Sequence, residues 1–181
     1  MILSANMLSL LSSQYAHEAS NALKYAALQS WADMRGLDGT ASFFEKQSKG
    51  ETDHANKVLA YIQARNEQLQ VCPIDWNIAI PGSYQGAFAS ALEIERATTD
   101  KLYALKEQAE AERDLASCAW LMQSDGLILE QVEEERVIQS VIDRILVRTG
   151  ALPILMGEDV PMSSETGSAV HDIVAWLKEH E

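Results

Sequence analysis

Cysteine, proline and basic side chains are all scarce in this 181-residue chain, and each shortage closes off a class of protein. Two cysteines, Cys72 and Cys118, do not make a disulfide framework. They read as inert thiols, and a reducing cytoplasm is the expected location. Only 14 lysines and arginines stand against 27 aspartates and glutamates, a net charge of −13. With no basic stripe to neutralise phosphates, nucleic acid is not an expected partner. An acidic field instead concentrates cations. Long apolar runs are missing too, so neither a bilayer span nor a membrane partner is expected. The opening MILSANMLSLLSSQYAHEA has no basic n-region and reads as the start of a helix. What remains is 47% hydrophobic and 23% charged residues, a globular balance at a length that fits one domain with a proper core.

The four prolines are confined to positions 73, 81, 153 and 161, which leaves long stretches open to helix. The pattern predicts a first helix from about Ser4 to Met34, ended by Arg35-Gly36-Leu37-Asp38-Gly39. A second runs from about Thr40 to Asn66. QLQVCPIDWNIAIPGSY follows, with two prolines and little periodicity, and reads as an extended crossover. A third helix is expected from about Tyr84 to Ala109 and a fourth from about Arg113 to Arg148. Gly126 falls inside the fourth, where it costs roughly 1 kcal/mol relative to alanine and permits a kink. Beyond Gly150 a loop-like tail leads to a short last helix, from about Glu165 to His180, with Ser164 as its cap. Residues 1–150 therefore read as an all-α four-helix bundle with one long crossover, and 151–181 as a loop and short C-terminal helix.

Seam positions in such a bundle recur at alternating steps of three and four. The first helix gives Leu8, Leu11, Tyr15, Glu18, Ala22 and Tyr25; the second gives Phe44, Gln47, Glu51, His54, Val58 and Tyr61. Phe88, Leu92, Glu95, Thr99 and Leu102 form the third seam. Trp120, Ser124, Leu127, Gln131, Glu134, Ile138, Val141 and Ile145 form the fourth. Every seam is apolar at both ends and carries a carboxylate near its middle. Burying several unpaired carboxylates together is prohibitive without a compensating cation. Glu18, Glu51, Glu95 and Glu134 thus point to metal. Glu93 lies about 200° around the helix from Glu95 and should face solvent. Glu130 and Glu133 flank the fourth seam, and His17 lies off the first.

Glu51-x-x-His54 is the sharpest short motif, because a spacing of three puts both side chains on one helical face. In two-metal carboxylate bundles, two helices give one Glu each and two give E-x-x-H. Glu18 and Glu95 fit the single positions. The fourth helix departs, offering Gln131-x-x-Glu134 with no second histidine.

The departure carries a resemblance. From about Leu8 to Leu146 the sequence resembles the non-haem bacterial ferritins, on Glu18-Ala-Ser-Asn-Ala-Leu-Lys-Tyr25 with Trp31 beyond it, Glu51-Thr-Asp-His54, Glu95-Arg-Ala-Thr-Thr, and Glu130-Gln-Val-Glu-Glu-Glu135 followed by Val141-Ile-Asp-Arg144. Bacterioferritins and rubrerythrins resemble it less, since they keep a histidine on the fourth helix. No methionine stands at an obvious haem-ligating place, and no haem is expected. The resemblance implies a first iron held by Glu18, Glu51 and His54. Glu51 would bridge to a second iron held by Glu95 and Glu134, with Gln131 nearby and Tyr25 beside the pair, these two being the expected catalytic residues. Where such ferritins hold a third iron they use glutamates like Glu130 and Glu133 and a carboxylate just before the bridging one, where this chain has Gly50. It further implies oxidation of Fe²⁺ by O₂ or peroxide, and storage of the product in a homo-oligomeric cage of twenty-four subunits. The alternatives are a rubrerythrin-type oxidase or peroxidase that does not store iron, and a redox-silent metal-binding bundle. Tyr25 has a plain alternative as a core tyrosine, Glu130 and Glu133 as a solvated face, and Trp31 and Trp120 as packing.

Overall fold

A few polar side chains decide where most of the helices start and where the crossover is held. The computed structural model describes residues 2–148. Its first helix, α1 (Ala5–Asp33), begins where the Ser4 hydroxyl accepts the Met7 N–H at 3.0 Å, satisfying a donor that a helix start leaves unpaired. Past the Met34 cap, Gly36 turns the chain at φ +67°, a left-handed conformation that glycine adopts without a Cβ penalty. The second helix, α2 (Asp38–Ala64), starts two residues before the expected Thr40, with the Asp38 carboxylate in its positive first turn. The third, α3 (Tyr84–Ala111), is capped by Ser83, whose hydroxyl accepts the Gly86 N–H at 3.0 Å.

The expected continuous fourth helix is in fact two segments, α4 (Leu115–Met122) and α5 (Leu127–Arg148). Together they make one bent bundle helix. The interruption depends on Gly126: a Cβ there would stand 2.6 Å from the Leu121 carbonyl oxygen and 2.9 Å from that of Gln123. Glycine therefore does more than loosen this helix; it lets the chain double back closely enough to restart. Ser124, expected on the seam, lies exposed in the break, and Trp120 stacks on Tyr61 with ring centroids 4.1 Å apart. Asp114 caps α4 through the Ser117 N–H at 3.2 Å and pairs with Arg65 at 2.9 Å, which fixes α4 to the end of α2.

Between α2 and α3, residues 66–83 have no helix, as expected. The segment is fastened along α1. Ser12 and Ser20 hydroxyls accept the Gln70 and Asp75 N–H groups, each at 3.1 Å, and the Trp31 indole donates to the Pro81 carbonyl at 2.6 Å. Trp31 is thus an anchor as well as a packing residue. The result is two helical hairpins, α1 with α2 and α3 with α4–α5, joined by one long crossover.

The core splits in two. One apolar cluster holds Tyr25, Leu28, Phe43, Phe44, Phe88, Ile138 and Val141. The other holds Met7, Leu11, Val58, Ile62, Leu102, Leu105, Leu121 and Leu127. The buried carboxylates occupy the chain positions between them. The expected tail of 151–181, with its Ser164 cap and short helix, lies outside the described residues, as does any boundary at 150.

Candidate metal centre

Side chains from α1, α2, α3 and α5 converge midway along the bundle. Glu18 and Glu95 have no exposed surface, and Glu51 is 2% exposed. The Glu18, Glu51 and His54 ligand atoms all lie within 4.8 Å of one another, close enough to share one cation. His54 presents Nδ1 to Glu51 at 3.8 Å and Nε2 to Glu134 at 3.9 Å and Glu130 at 3.3 Å. On the far side, Glu95 accepts hydrogen bonds from the Tyr25 hydroxyl and, at 2.6 Å, from the Gln131 side-chain amide. Gln131 also donates to the Glu95 carbonyl at 3.2 Å, so its amide is fully oriented.

Among the described residues, three carboxylate oxygens are buried without a hydrogen-bond partner: Glu18 Oε2, Glu51 Oε2 and Glu134 Oε2. Such orphans are uncommon in folded proteins and require an explanation. Burial pushes the Glu18 carboxyl well above the usual carboxylate range, and the neighbouring Glu51 charge pushes it further. Glu51 is raised well above it by burial and then by the nearby Glu95 charge. Burial and Glu95 lift Glu134 to about 8. Glu95 is raised by burial too, against the opposing hydrogen bonds of Tyr25 and Gln131. Burial and the Glu95 charge hold the Tyr25 hydroxyl well above its ordinary value, so it donates and stays neutral. Without cations these groups must keep protons that an ionised carboxylate would release. The oxygen-rich donor set with one imidazole suits a hard or borderline divalent ion.

The flanking glutamates are placed differently. Both Glu130 oxygens lie 2.7 Å from the Lys57 ammonium. Glu133 is partly exposed and takes two hydrogen bonds from Arg136, at 2.5 and 2.7 Å. Glu93 faces solvent, as its helical phase predicts. His17 lies 3.0 Å from the Thr98 hydroxyl, and burial, with help from Lys101 and Lys24, lowers its pKa to about 4. It is a structural contact.

Two polar residues escaped the sequence reading. Gln14 donates to Glu18 at 2.6 Å, and Asn21 donates to Thr98 at 3.0 Å, both buried. Stepping four back and three forward from Glu18 reaches them, so the same periodicity could have found them. The buried stripe of α1 is Met7, Leu11, Gln14, Glu18, Asn21, Tyr25 and Leu28. The expected Leu8, Tyr15 and Ala22 sit at its edge and are only partly buried.

The fold and these residues define a metal-handling four-helix bundle of the carboxylate class. The chain belongs to the ferritin family: the ferritin-like domain matches residues 8–146. It is 31% identical over 149 residues to the bacterial non-heme ferritin of Staphylococcus aureus strain USA300, covering 82% of this chain and 87% of that protein. The corresponding protein of Staphylococcus epidermidis is 32% identical over the same length. Among solved structures, an Archaeoglobus fulgidus ferritin engineered into a closed form superposes with a TM-score of 0.75 at 26% identity, covering 82% of this chain and 90% of that one. A PmFTN variant soaked in iron superposes equally well, at 26% identity over 84% of this chain and 94% of that one. Iron storage is the function of the family at this level, and the buried Glu18–Glu51–His54 group is compatible with it.

Proposed function

We propose that this chain oxidises Fe²⁺ at an intrasubunit two-metal centre and stores the ferric product within a cage of twenty-four copies of itself. The observation that carries the reading is the set of orphaned buried oxygens on Glu18, Glu51 and Glu134. In the proposed arrangement Glu18, Glu51 and His54 hold one substrate ion, and Glu95 and Glu134 hold the other with Gln131 alongside. Glu51 lies between them. Tyr25 orients Glu95 by its hydrogen bond and is a positioning residue.

Two Fe²⁺ each give up one electron, and O₂ takes both with two protons to leave as hydrogen peroxide. Bringing two ions and O₂ together in a buried site turns an encounter of three bodies into a local event. Binding must also displace protons from carboxyls that burial has kept protonated. The second position has no histidine, and the Glu134 side chain keeps 23% of its surface exposed. An ion there is held by fewer strong donors and nearer to solvent, which suits release of product toward a store.

Self-association is supported by the crossover, where Val71, Ile74, Trp76 and Ile80 expose large apolar surface that a neighbouring subunit would cover. No helix among the described residues is long and apolar enough to cross a membrane, which fits the proposed cytoplasmic setting.

The test is stepwise aerobic addition of Fe²⁺ to metal-free protein, followed by ferric absorbance and then size exclusion. Rapid oxidation of two ions per chain, followed by many more that co-elute with a large assembly, is the expected result. Oxidation that stops at two would leave a non-storing oxidase or peroxidase. No oxidation above buffer would leave a redox-silent metal-binding bundle.

A further inference from the structure

Among the described residues, Lys57 is the side chain at the edge of the centre that brings a permanent positive charge to it. It stands on α2, two turns beyond Glu51, and reaches across to α5. Its ammonium lies 2.7 Å from each oxygen of Glu130. It also lies 3.4 Å from the Asp125 carbonyl, in the break between α4 and α5. Glu130 Oε2 is in turn 3.3 Å from His54 Nε2, so this carboxylate adjoins the metal-binding histidine directly.

An ammonium equidistant from both oxygens fills the wedge in which a carboxylate would chelate a cation. The Glu130 side chain is 32% exposed and that of Lys57 37%, so water reaches both and a solvated ion could reach Glu130 if the ammonium were gone. The residue before Glu51 is Gly50, with nothing within 4 Å of where a Cβ would stand, so that position supplies no competing ligand and no obstruction. The α4–α5 break contributes as well. Because the helix restarts at Leu127, the Asp125 carbonyl is turned outward from the helical ladder and can hold the ammonium.

We propose that Lys57 serves as a built-in third cation, occupying Glu130 and restricting the centre to two metal ions. The inference rests on the two-metal reading above. The ammonium neutralises Glu130 without binding O₂ or giving up an electron, and its charge repels a further divalent ion from the outer side of His54. The two oxidised ions then face an exit lined by a lysine instead of a third binding station.

Anaerobic titration with Co²⁺, followed by its visible d–d absorption and by calorimetry, reads occupancy without any turnover. The full-length protein should take up two Co²⁺ per chain. Lys57→Met should take up a third, and Lys57→Arg, which keeps the charge, should stay at two. Adding Glu130→Gln to Lys57→Met should remove the third ion again. Lys57→Gln repeats the test with a polar side chain should methionine disturb the helix, and thermal unfolding confirms that each variant is folded. Two ions in both the parent and Lys57→Met overturns the proposal while leaving the two-metal reading intact. Three in the parent overturns it as well. No uptake by the parent overturns both.

Discussion

At one end of the bundle Phe43, Phe44, Phe88 and Tyr25 pack ring against ring, with centroids 5.3 to 6.1 Å apart. A short way along the same helices, Glu18, Glu51 and Glu95 are just as deeply buried, yet one oxygen of Glu18 and one of Glu51 have no partner. The aromatic end is complete in itself, since every surface it hides from water stabilises the fold. The carboxylate middle opposes folding until something positive enters it. One element joins the two regions: the Tyr25 ring packs with the aromatics while its hydroxyl holds Glu95. Stable ends are what allow a destabilising middle to be kept in register, which is how a helical bundle can hold a site that local energetics disfavours.

The contrast can be broken at the aromatic end first. Phe44→Ala should lower the unfolding free energy of the metal-free protein by about 3–5 kcal/mol, because the three rings around it cannot collapse into the space. Urea unfolding checks this, and a loss below about 1 kcal/mol would mean the aromatic cluster is not the anchor. The opposite sign is expected in the middle. Replacing Gln14 with Met and Glu18 with Leu together removes a buried carboxyl and its donor, and should stabilise the metal-free protein by about 1–4 kcal/mol. The same double variant should lose the stabilisation of about 2.7 kcal/mol that Co²⁺ at a hundredfold excess over Kd gives the parent. A parent indifferent to Co²⁺ would contradict the assignment of the middle as a metal site.

Gly126→Ala should cost about 1–3 kcal/mol, since its Cβ would overlap the Leu121 carbonyl and force the α4–α5 break to open. Its effect should fall on α4 and α5, and amide hydrogen exchange would show increased opening there before it reached α1. The most gradual effect is the pH dependence. Glu18, Glu51, Glu95 and Glu134 all have raised folded-state values, Glu134 reaching about 8. A carboxyl raised on folding binds more protons folded than unfolded, so its contribution is fullest below the ordinary carboxylate value and is lost as pH rises toward the folded one. Metal-free protein should therefore weaken between pH 6 and 7.5, by about 2 kcal/mol for Glu134 alone, partly offset by His17, whose lowered value works in the opposite direction there. Saturating Co²⁺ should flatten the profile, because the ions replace the protons.

Much of this was legible in the residues themselves. Most of the second and third seams is buried where periodicity placed it, Gln47, Tyr61 and Thr99 being only partly buried, and Glu51 and His54 share a face because three residues of helix bring them together. The first seam lies one residue earlier at alternate steps than periodicity predicts: Met7, Gln14 and Asn21 are buried where Leu8, Tyr15 and Ala22 are expected. The reason is chemical: a polar Gln and Asn look like solvent-facing residues until their partners on Glu18 and Thr98 are known. The fourth helix departs from its pattern for a different reason. Gly126 in a helical pattern reads as a mild cost, and only the crowding of the Leu121 and Gln123 carbonyls shows that it permits a full interruption.

The amino-acid sequence by itself determined the four amphipathic helices, the extended crossover and the four seams with a carboxylate at matching depth. Those are consequences of local periodicity and of prolines and glycines that a chain carries wherever it goes. Tertiary structure alone decided how Glu95 is divided between Tyr25 and Gln131, which oxygens are left without partners, and that Glu130 belongs to Lys57. Lys57 and Glu130 are far apart in sequence and on different helices, so no local pattern relates them. Their pairing exists only because α2 and a broken fourth helix meet at one angle, and charge finds its partner at the distance that packing allows.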